Sequence, residues 1–83
     1  MIIHKYRVDV TDTSVVPMPR GAKILHFGEQ GGHLCLWALV NPKNAQQDYK
    51  FLIRGTGNPL TGKEGGHLAT VQMGHFVWHI FEG

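Results

Sequence analysis

Cysteine and long apolar runs are scarce in this 83-residue chain, and no helical periodicity extends beyond one turn. The single cysteine, Cys35, cannot form an intramolecular disulfide, and its place in an apolar segment predicts inert packing. No apolar run approaches the roughly 18 residues of a membrane span, and the N-terminal segment lacks the apolar core of a signal peptide. We therefore expect a cytoplasmic protein without a membrane partner.

Acidic and nucleophilic side chains are few and scattered. Six Asp or Glu residues and one serine, Ser14, show no paired carboxylates and no base beside a nucleophile. The six histidines lack a cysteine partner and an H-E-x-x-H spacing, and only His26, Glu29 and His33 could approach one another across a hairpin. We predict no catalytic residue, no metal site and no cofactor.

A strong excess of charge of one sign is also missing. Eight Lys or Arg residues against six Asp or Glu residues give a net charge of +2, spread singly along the chain. Proteins that bind duplex nucleic acid usually concentrate positive charge on one face, so we expect no such partner. A small anionic ligand, held by a few local cations, is compatible with this balance.

The most informative segment is His33–Asn41, HLCLWALVN, which is apolar on both faces of a strand. Alternate residues of a strand point to opposite faces, so Leu34 and Leu36 face one way and Cys35 and Trp37 the other. A strand with one solvated face does not show this pattern. We predict that His33–Asn41 is a central strand, covered on both sides by its own domain or by a partner subunit.

The other apolar segments are short, alternate with period two and are separated by Gly, Pro, Asn or Asp, as in all-β proteins. We predict one domain, residues 1–83, folded as a small antiparallel sandwich or barrel of six to seven short strands with meander-like hairpins. The predicted strands are Ile2–Val10, the edge strand Ser14–Met18, Ala22–Phe27, His33–Asn41, Asp48–Arg54, His67–Met73 and His75–Phe81.

The last predicted strand is also apolar on both faces. Phe76 and Trp78 face one way, and Val77 and Phe81 face the other. A chain of this length buries only about 60–65% of its unfolded surface, too little to cover two such strands easily. We therefore predict a homo-oligomer, or a planar ligand stacked on an exposed ring.

The longest irregular stretch is Gly55–Gly66, GTGNPLTGKEGG, with five of the eleven glycines. It matches the G-x-x-x-x-G-K of a phosphate-binding loop, but Glu64 replaces the Ser or Thr that holds Mg²⁺, and no helix follows. Two interpretations stay open. The stretch is either a plain turn or a loop whose backbone N–H groups bind an anion beside Arg54, Lys63 and Arg20. Its length in so small a domain favours a binding function.

Five segments spread over nearly the whole chain resemble a family of short, mostly bacteriophage-encoded proteins classed as a domain of unknown function. They are IHKY near the start, MPRGAKIL at Met18–Leu25, LCLWALV at Leu34–Val40, RGTGNPL at Arg54–Leu60 and HFVWHIFE at the end. The chain departs from the family pattern at TGKEGG, where relatives carry an acidic run. The resemblance implies a phage origin, action in the cytoplasm of the infected bacterial host, and no enzyme activity.

By analogy with other small phage proteins, the resemblance also implies a sponge, a homo-oligomer that sequesters a cyclic oligonucleotide or cyclic ADP-ribose immune signal. Cations and the glycine loop would hold the phosphates, and a tryptophan would stack a base. The predicted ligand-binding residues are Arg54, Gly55, Thr56, Gly57, Lys63, Arg20, Trp37 and Trp78. The alternative is a protein–protein interaction module, either an inhibitor of a host protein or an accessory phage component.

Overall fold

A computed structural model describes all of residues 1–83, and it contains seven strands and no helix. The predicted all-β class is therefore confirmed. No segment forms a helix that could span a membrane. The strands are β1 (Ile2–Arg7), β2 (Thr13–Pro19), β3 (Lys23–Gln30), β4 (His33–Val40), β5 (Gln46–Gly55), β6 (His67–Met73) and β7 (Phe76–Glu82).

The strands form two antiparallel sheets that pack face to face. Sheet A has the order β1-β4-β3, and sheet B has the order β2-β5-β7-β6. Because neither sheet closes on itself, the architecture is a sandwich and not a barrel. Only β3–β4 and β6–β7 are hairpins of consecutive strands, while β1–β4, β2–β5 and β5–β7 join strands distant in sequence. The expected meander is therefore limited to two hairpins.

The strand boundaries differ from the prediction chiefly at Gly28, which lies within β3, and at the end of the first strand. Gly28–Gln30, expected in a hairpin loop, extends β3, and the turn is confined to Gly31 and Gly32, which have φ angles of 59° and 81°. Two residues in this left-handed region suit the tightest hairpin connection, which only glycine adopts without strain. At the same end of sheet A, β1 stops at Arg7, although the amide of Val8 still donates to the carbonyl of Leu34.

β4 is the middle strand of sheet A, as predicted for the segment apolar on both faces. Its inner-face residues are at most 1% exposed: Leu34, Leu36, Ala38 and Val40. On the outer face Cys35 is buried, but Trp37 and Leu39 are only half-buried. No further layer covers that face, and Trp37 is flanked by its cross-strand neighbours Lys5 and His26. The chain itself therefore covers only the inner face, and cover of the outer face by a partner subunit stays a prediction.

The core lies between the sheets and draws on both of them. Met18 of β2, Leu36 of β4 and Ile80 of β7 are all 0% exposed. Across the interface, the rings of Phe27 and Phe51 meet edge to face, with centroids 5.5 Å apart. This geometry is favoured by the ring quadrupoles and fixes β3 of sheet A against β5 of sheet B.

Three of the four edge strands carry a feature that hinders pairing with another strand. β2 contains Pro17 and Pro19, and register shifts interrupt β3 between Ile24 and His26 and β6 between His67 and Ala69. Prolines and bulges are the usual protection of exposed sheet edges. β1 pairs regularly with β4 along its whole length and has neither feature, so it is the open edge of the sandwich.

Truncation of the central strand should be the most direct test of this core. Leu36→Ala removes a fully buried side chain and should lower the free energy of unfolding by about 2–5 kcal/mol, because a cavity replaces apolar contacts. The matched control is Leu60→Ala, at a side chain 59% exposed, which should change stability by less than about 0.5 kcal/mol. Urea unfolding measures both values, and similar losses in the two variants would contradict the described core.

Candidate functional site

The carboxylate of Glu64 organises the loop that follows β5. It accepts hydrogen bonds from the backbone N–H groups of Thr61, at 3.0 and 3.1 Å, and of Gly62, at 2.9 Å. The Thr61 hydroxyl donates to it at 3.0 Å. The Thr61 amide is the main cause that lowers the pKa of Glu64 to about 2. The residue that breaks the phosphate-loop pattern is therefore the one that shapes this loop.

Arg54 connects Glu64 to the rest of the fold. Its Nε lies 2.9 Å from the Glu64 carboxylate, and the two side chains are only 11% and 5% exposed. Its Nη1 donates to the backbone carbonyls of Asp12, at 2.7 Å, and Ile53, at 3.1 Å. The remaining nitrogen, Nη2, has no acceptor within the chain. Because no buried side-chain nitrogen lacks a partner, Nη2 is accessible to solvent.

A cleft of about 590 Å³ opens at this end of the sandwich, and we call it the Arg54 cleft. Its walls come from the β1–β2 connection, the end of β5, the following loop and β7. This volume lies within the range of small-molecule sites, roughly 300–1,000 Å³. Its polar and aromatic lining residues are Thr11, Asp12, Arg54, Asn58, Thr61 and Trp78.

Gly55 lets the side chains of Asn58 and Trp78 lie close to the end of β5. A Cβ atom at this position would lie 2.9 Å from Nδ2 of Asn58 and 3.3 Å from the ring of Trp78. Both distances are shorter than ordinary van der Waals contact, so a larger residue would displace Asn58. Glycine is therefore required here for the close approach of two side chains and not for a special backbone angle.

The aromatic side of the cleft is Trp78, which is stacked on the neighbouring ring of Phe76. Trp78 is half-buried against the core, and its ring lies nearly parallel to that of Phe76, at 14° and 5.6 Å between centroids. Phe76 is 64% exposed. Both residues point from β7 toward the interior of the sandwich, at an end that sheet A does not cover.

The family of the chain follows from its sequence. Residues 1–83 match the family described as a domain of unknown function, DUF7352. The chain belongs to this family. The predicted resemblance to a domain of unknown function is thus confirmed over the full length. No curated protein and no solved structure matches the chain.

The fold of the DUF7352 chain brings only part of the predicted site together. Arg54, Gly55 and Trp78 line the Arg54 cleft, as the prediction required. Thr56 follows at the rim, where its hydroxyl lies 2.7 Å from Nε2 of His79 and is therefore held by the outer face of sheet B. Gly57, with φ of 88°, makes the turn that leads to Asn58.

Three of the predicted residues lie away from the Arg54 cleft. Arg20 follows β2, whose antiparallel pairing with β5 puts it at the opposite end of the sandwich, beside Ala45. Trp37 lies on the outer face of sheet A, against His26. Lys63 is exposed on the loop and does not line the cleft. The site therefore contains one cation instead of three.

Sequence reasoning did not assign Asp12, Asn58 or Phe76 to the site. Asp12 reaches the cleft because the β1–β2 connection crosses the end of β5, where the carbonyl of Asp12 accepts from the amide of Ile53. No local pattern around Asp12 indicates this contact. The Asn-Pro pair within the glycine-rich loop was the available signal for Asn58, since such a dipeptide fixes a turn.

Two histidines of the DUF7352 chain, His67 and His79, belong to a hydrogen-bonded cluster with threonine hydroxyls. On the outer face of sheet B, His79 is bonded at both ring nitrogens, to Thr56 at 2.7 Å and to Thr70 at 3.0 Å. The Thr70 hydroxyl also lies 2.9 Å from Nε2 of His67. No group of three or more His, Cys, Asp or Glu side chains could hold a metal ion.

The low pKa of Glu64 predicts a specific acid response. Its pKa is about 2 in the folded chain against an ordinary value of 4.5, so its contribution to stability is complete above about pH 4.5 and is lost as pH falls toward 2. Glu64→Gln should therefore melt below the wild type at pH 7, and the difference should vanish near pH 2. Melting temperatures across pH 2–7 measure this.

The control for this experiment is Asp9→Asn, at an exposed carboxylate without a side-chain hydrogen bond. Its melting temperature should follow that of the wild type at every pH. A Glu64→Gln deficit that stays constant from pH 7 to pH 2 would show that the charge of Glu64 is not what holds the loop.

Proposed function

We propose that this DUF7352 protein is a non-catalytic phage protein that binds and sequesters a small nucleotide-type immune signal as a homo-oligomer. It would thereby counter bacterial antiphage defence in the cytoplasm of the infected host. The observation that carries the ligand-binding proposal is the Arg54 cleft, where an open guanidinium edge, an aromatic ring and close-packed glycine backbone meet. The motif resemblance to phage-encoded proteins supports the setting.

The charges around the cleft favour a ligand of low charge density. Arg54 is the one cation of the lining, and it is already paired with Glu64 at 2.9 Å. Asp12 adds a carboxylate to the same lining. A phosphodiester carries one negative charge and matches a single guanidinium edge, whereas a triphosphate would meet two carboxylates without enough compensating cations. Cyclic nucleotides, whose phosphates are all diesters, fit this balance better than triphosphates.

The orientation of Arg54 is set before any ligand arrives. Three acceptors, on Glu64, Asp12 and Ile53, hold Nε and Nη1, so only Nη2 is available and its direction is fixed. A donor that loses little conformational freedom on binding adds more to affinity than a flexible surface lysine. Sequestration requires only such reversible contacts, and the ligand would leave unchanged.

The first test is a thermal-shift screen of the purified protein against cyclic di- and trinucleotides, cyclic ADP-ribose isomers and mononucleotides. A ligand at 100 times its Kd stabilises the fold by about 2.7 kcal/mol. In a domain of this size, that corresponds to a rise in melting temperature of roughly 10–20 °C. We expect a cyclic oligonucleotide to produce such a shift, and the absence of any shift across the panel would overturn the proposal.

Arg54→Gln locates the site within that screen. Because Arg54 also supports the loop, the quantity compared is the ligand-induced shift above each variant's own melting temperature. We expect this shift to fall to near zero in Arg54→Gln and to be unchanged in the control Arg20→Gln, which alters a cation at the opposite end of the sandwich. An undiminished shift in Arg54→Gln would place the ligand elsewhere.

A second candidate function, a protein–protein interaction module, is favoured by the open edge of β1. The amide of Val8 donates to β4, so by alternation the N–H groups of Ile3, Lys5 and Arg7 point away from the sheet. Ile3 is also 60% exposed. A strand of a second copy or of a host protein could extend sheet A along this edge.

Proline at Ile3 tests whether β1 is an edge through which two copies of the chain associate. Ile3→Pro deletes an outward N–H and no bond to β4, so the monomer should stay folded while edge pairing is lost. If β1 joins two copies, light scattering should give a dimer mass for the wild type and for Ile3→Ala, and a monomer mass for Ile3→Pro. Equal masses for all three proteins would exclude self-association through β1.

A further inference from the structure

A second cleft adjoins the first across a shared wall. It has a volume of about 440 Å³, and Thr56, His75 and Phe76 are among the residues that line it, so we call it the Phe76 cleft. Gly55, Asn58 and Trp78 line both clefts. Each cleft alone lies within the size range of small-molecule sites. The two spaces are thus neighbouring lobes around one wall.

The stacked rings give each lobe its own aromatic surface. Trp78 lines both clefts, whereas Phe76 lines only the second, and the rings are nearly parallel, at 14°. An exposed large apolar side chain is ordinary when it is isolated. Phe76, 64% exposed, is instead stacked on a second ring at the mouth of a cleft. Parallel aromatic rings of this kind are the usual platform for nucleobases.

The wall between the lobes carries an unused hydrogen-bonding group. The backbone N–H of Asn58 is held by the carbonyl of Gly55 at 3.1 Å, which fixes the residue in its turn. Its side-chain amide has no hydrogen-bond partner within the chain and touches the position of Gly55. An amide N–H can donate to a phosphate oxygen, and an amide oxygen can accept from a sugar hydroxyl. The amide is therefore complementary to the phosphate and sugar of a linker between two bases.

We propose that the ligand has two planar bases joined by a short polar linker, and so belongs to the cyclic dinucleotides. One base packs against Trp78 in the Arg54 cleft, and the other stacks on Phe76 in the neighbouring cleft. Asn58 donates to the linker between them, and Nη2 of Arg54 binds a phosphodiester oxygen. This inference rests on the proposed nucleotide binding and adds to it the number of bases and the role of Phe76.

The experiment compares a cyclic dinucleotide with its own cyclic mononucleotide, as in cyclic di-AMP against cyclic AMP and cyclic di-GMP against cyclic GMP. Dissociation constants are measured by calorimetry for the wild type, for Phe76→Ala and for the control Leu60→Ala, which truncates a similarly exposed side chain. Loss of one stacked base costs about 1–3 kcal/mol, which is roughly five- to 150-fold in affinity.

We expect the dinucleotide to bind the wild type more tightly than the mononucleotide by a factor in that range. Phe76→Ala should remove this advantage and leave the mononucleotide constant unchanged, while Leu60→Ala should alter neither. Equal binding of both ligands by the wild type, or an unchanged dinucleotide constant in Phe76→Ala, would overturn the two-base inference and leave nucleotide binding standing. Binding of none of the four compounds, together with no shift in the wider screen, would overturn both proposals.

Discussion

The ion pair of Arg54 with Glu64 is the interaction on which the candidate site depends. It joins the end of β5 to the loop that follows, and the same guanidinium holds the β1–β2 connection through the carbonyl of Asp12. Both side chains are nearly buried, so removal of either partner would leave a charge without compensation. The many hydrogen bonds to Glu64 offset its desolvation. Without the pair, the loop that carries Glu64 would lose its side-chain link to the end of β5.

Period-two patterns in the sequence predict the strands of the fold. The two segments apolar on both faces, at Leu34–Val40 and Phe76–Phe81, are interior strands β4 and β7. Strand pairing was not predictable, because β1–β4 and β2–β5 unite segments separated by other strands, and no local signal encodes that choice. The half-burial of Trp37 follows from the same cause, since the pattern shows apolar faces but not whether a second layer covers them.

The site was less predictable, because its chemistry depends on contacts between distant segments. The G-x-x-x-x-G-K pattern directed attention to Lys63, yet Glu64 shapes the loop through Arg54, ten positions earlier. Arg20 and Arg54 are equivalent as isolated cations, and only the antiparallel pairing of β2 with β5 separates them to opposite ends. Trp37 and Trp78 likewise differ in the sheet that carries them and in the face on which they lie. Residue type indicated the right chemistry, and the strand topology determines which arginine and which tryptophan lie at the cleft.

The clefts lie at the end of the sandwich where β5 ends and β7 begins. Phe76 is 64% exposed there and Trp78 is only half-buried, so aromatic surface of sheet B is uncovered at this end. Uncovered aromatic surface there costs stability in a domain whose core is already thin. The uncovered surface differs from a simple packing defect, because the open edge of Arg54 and the unpartnered amide of Asn58 lie at the same end. Incomplete burial and unused hydrogen-bonding groups at one place are what a binding site requires.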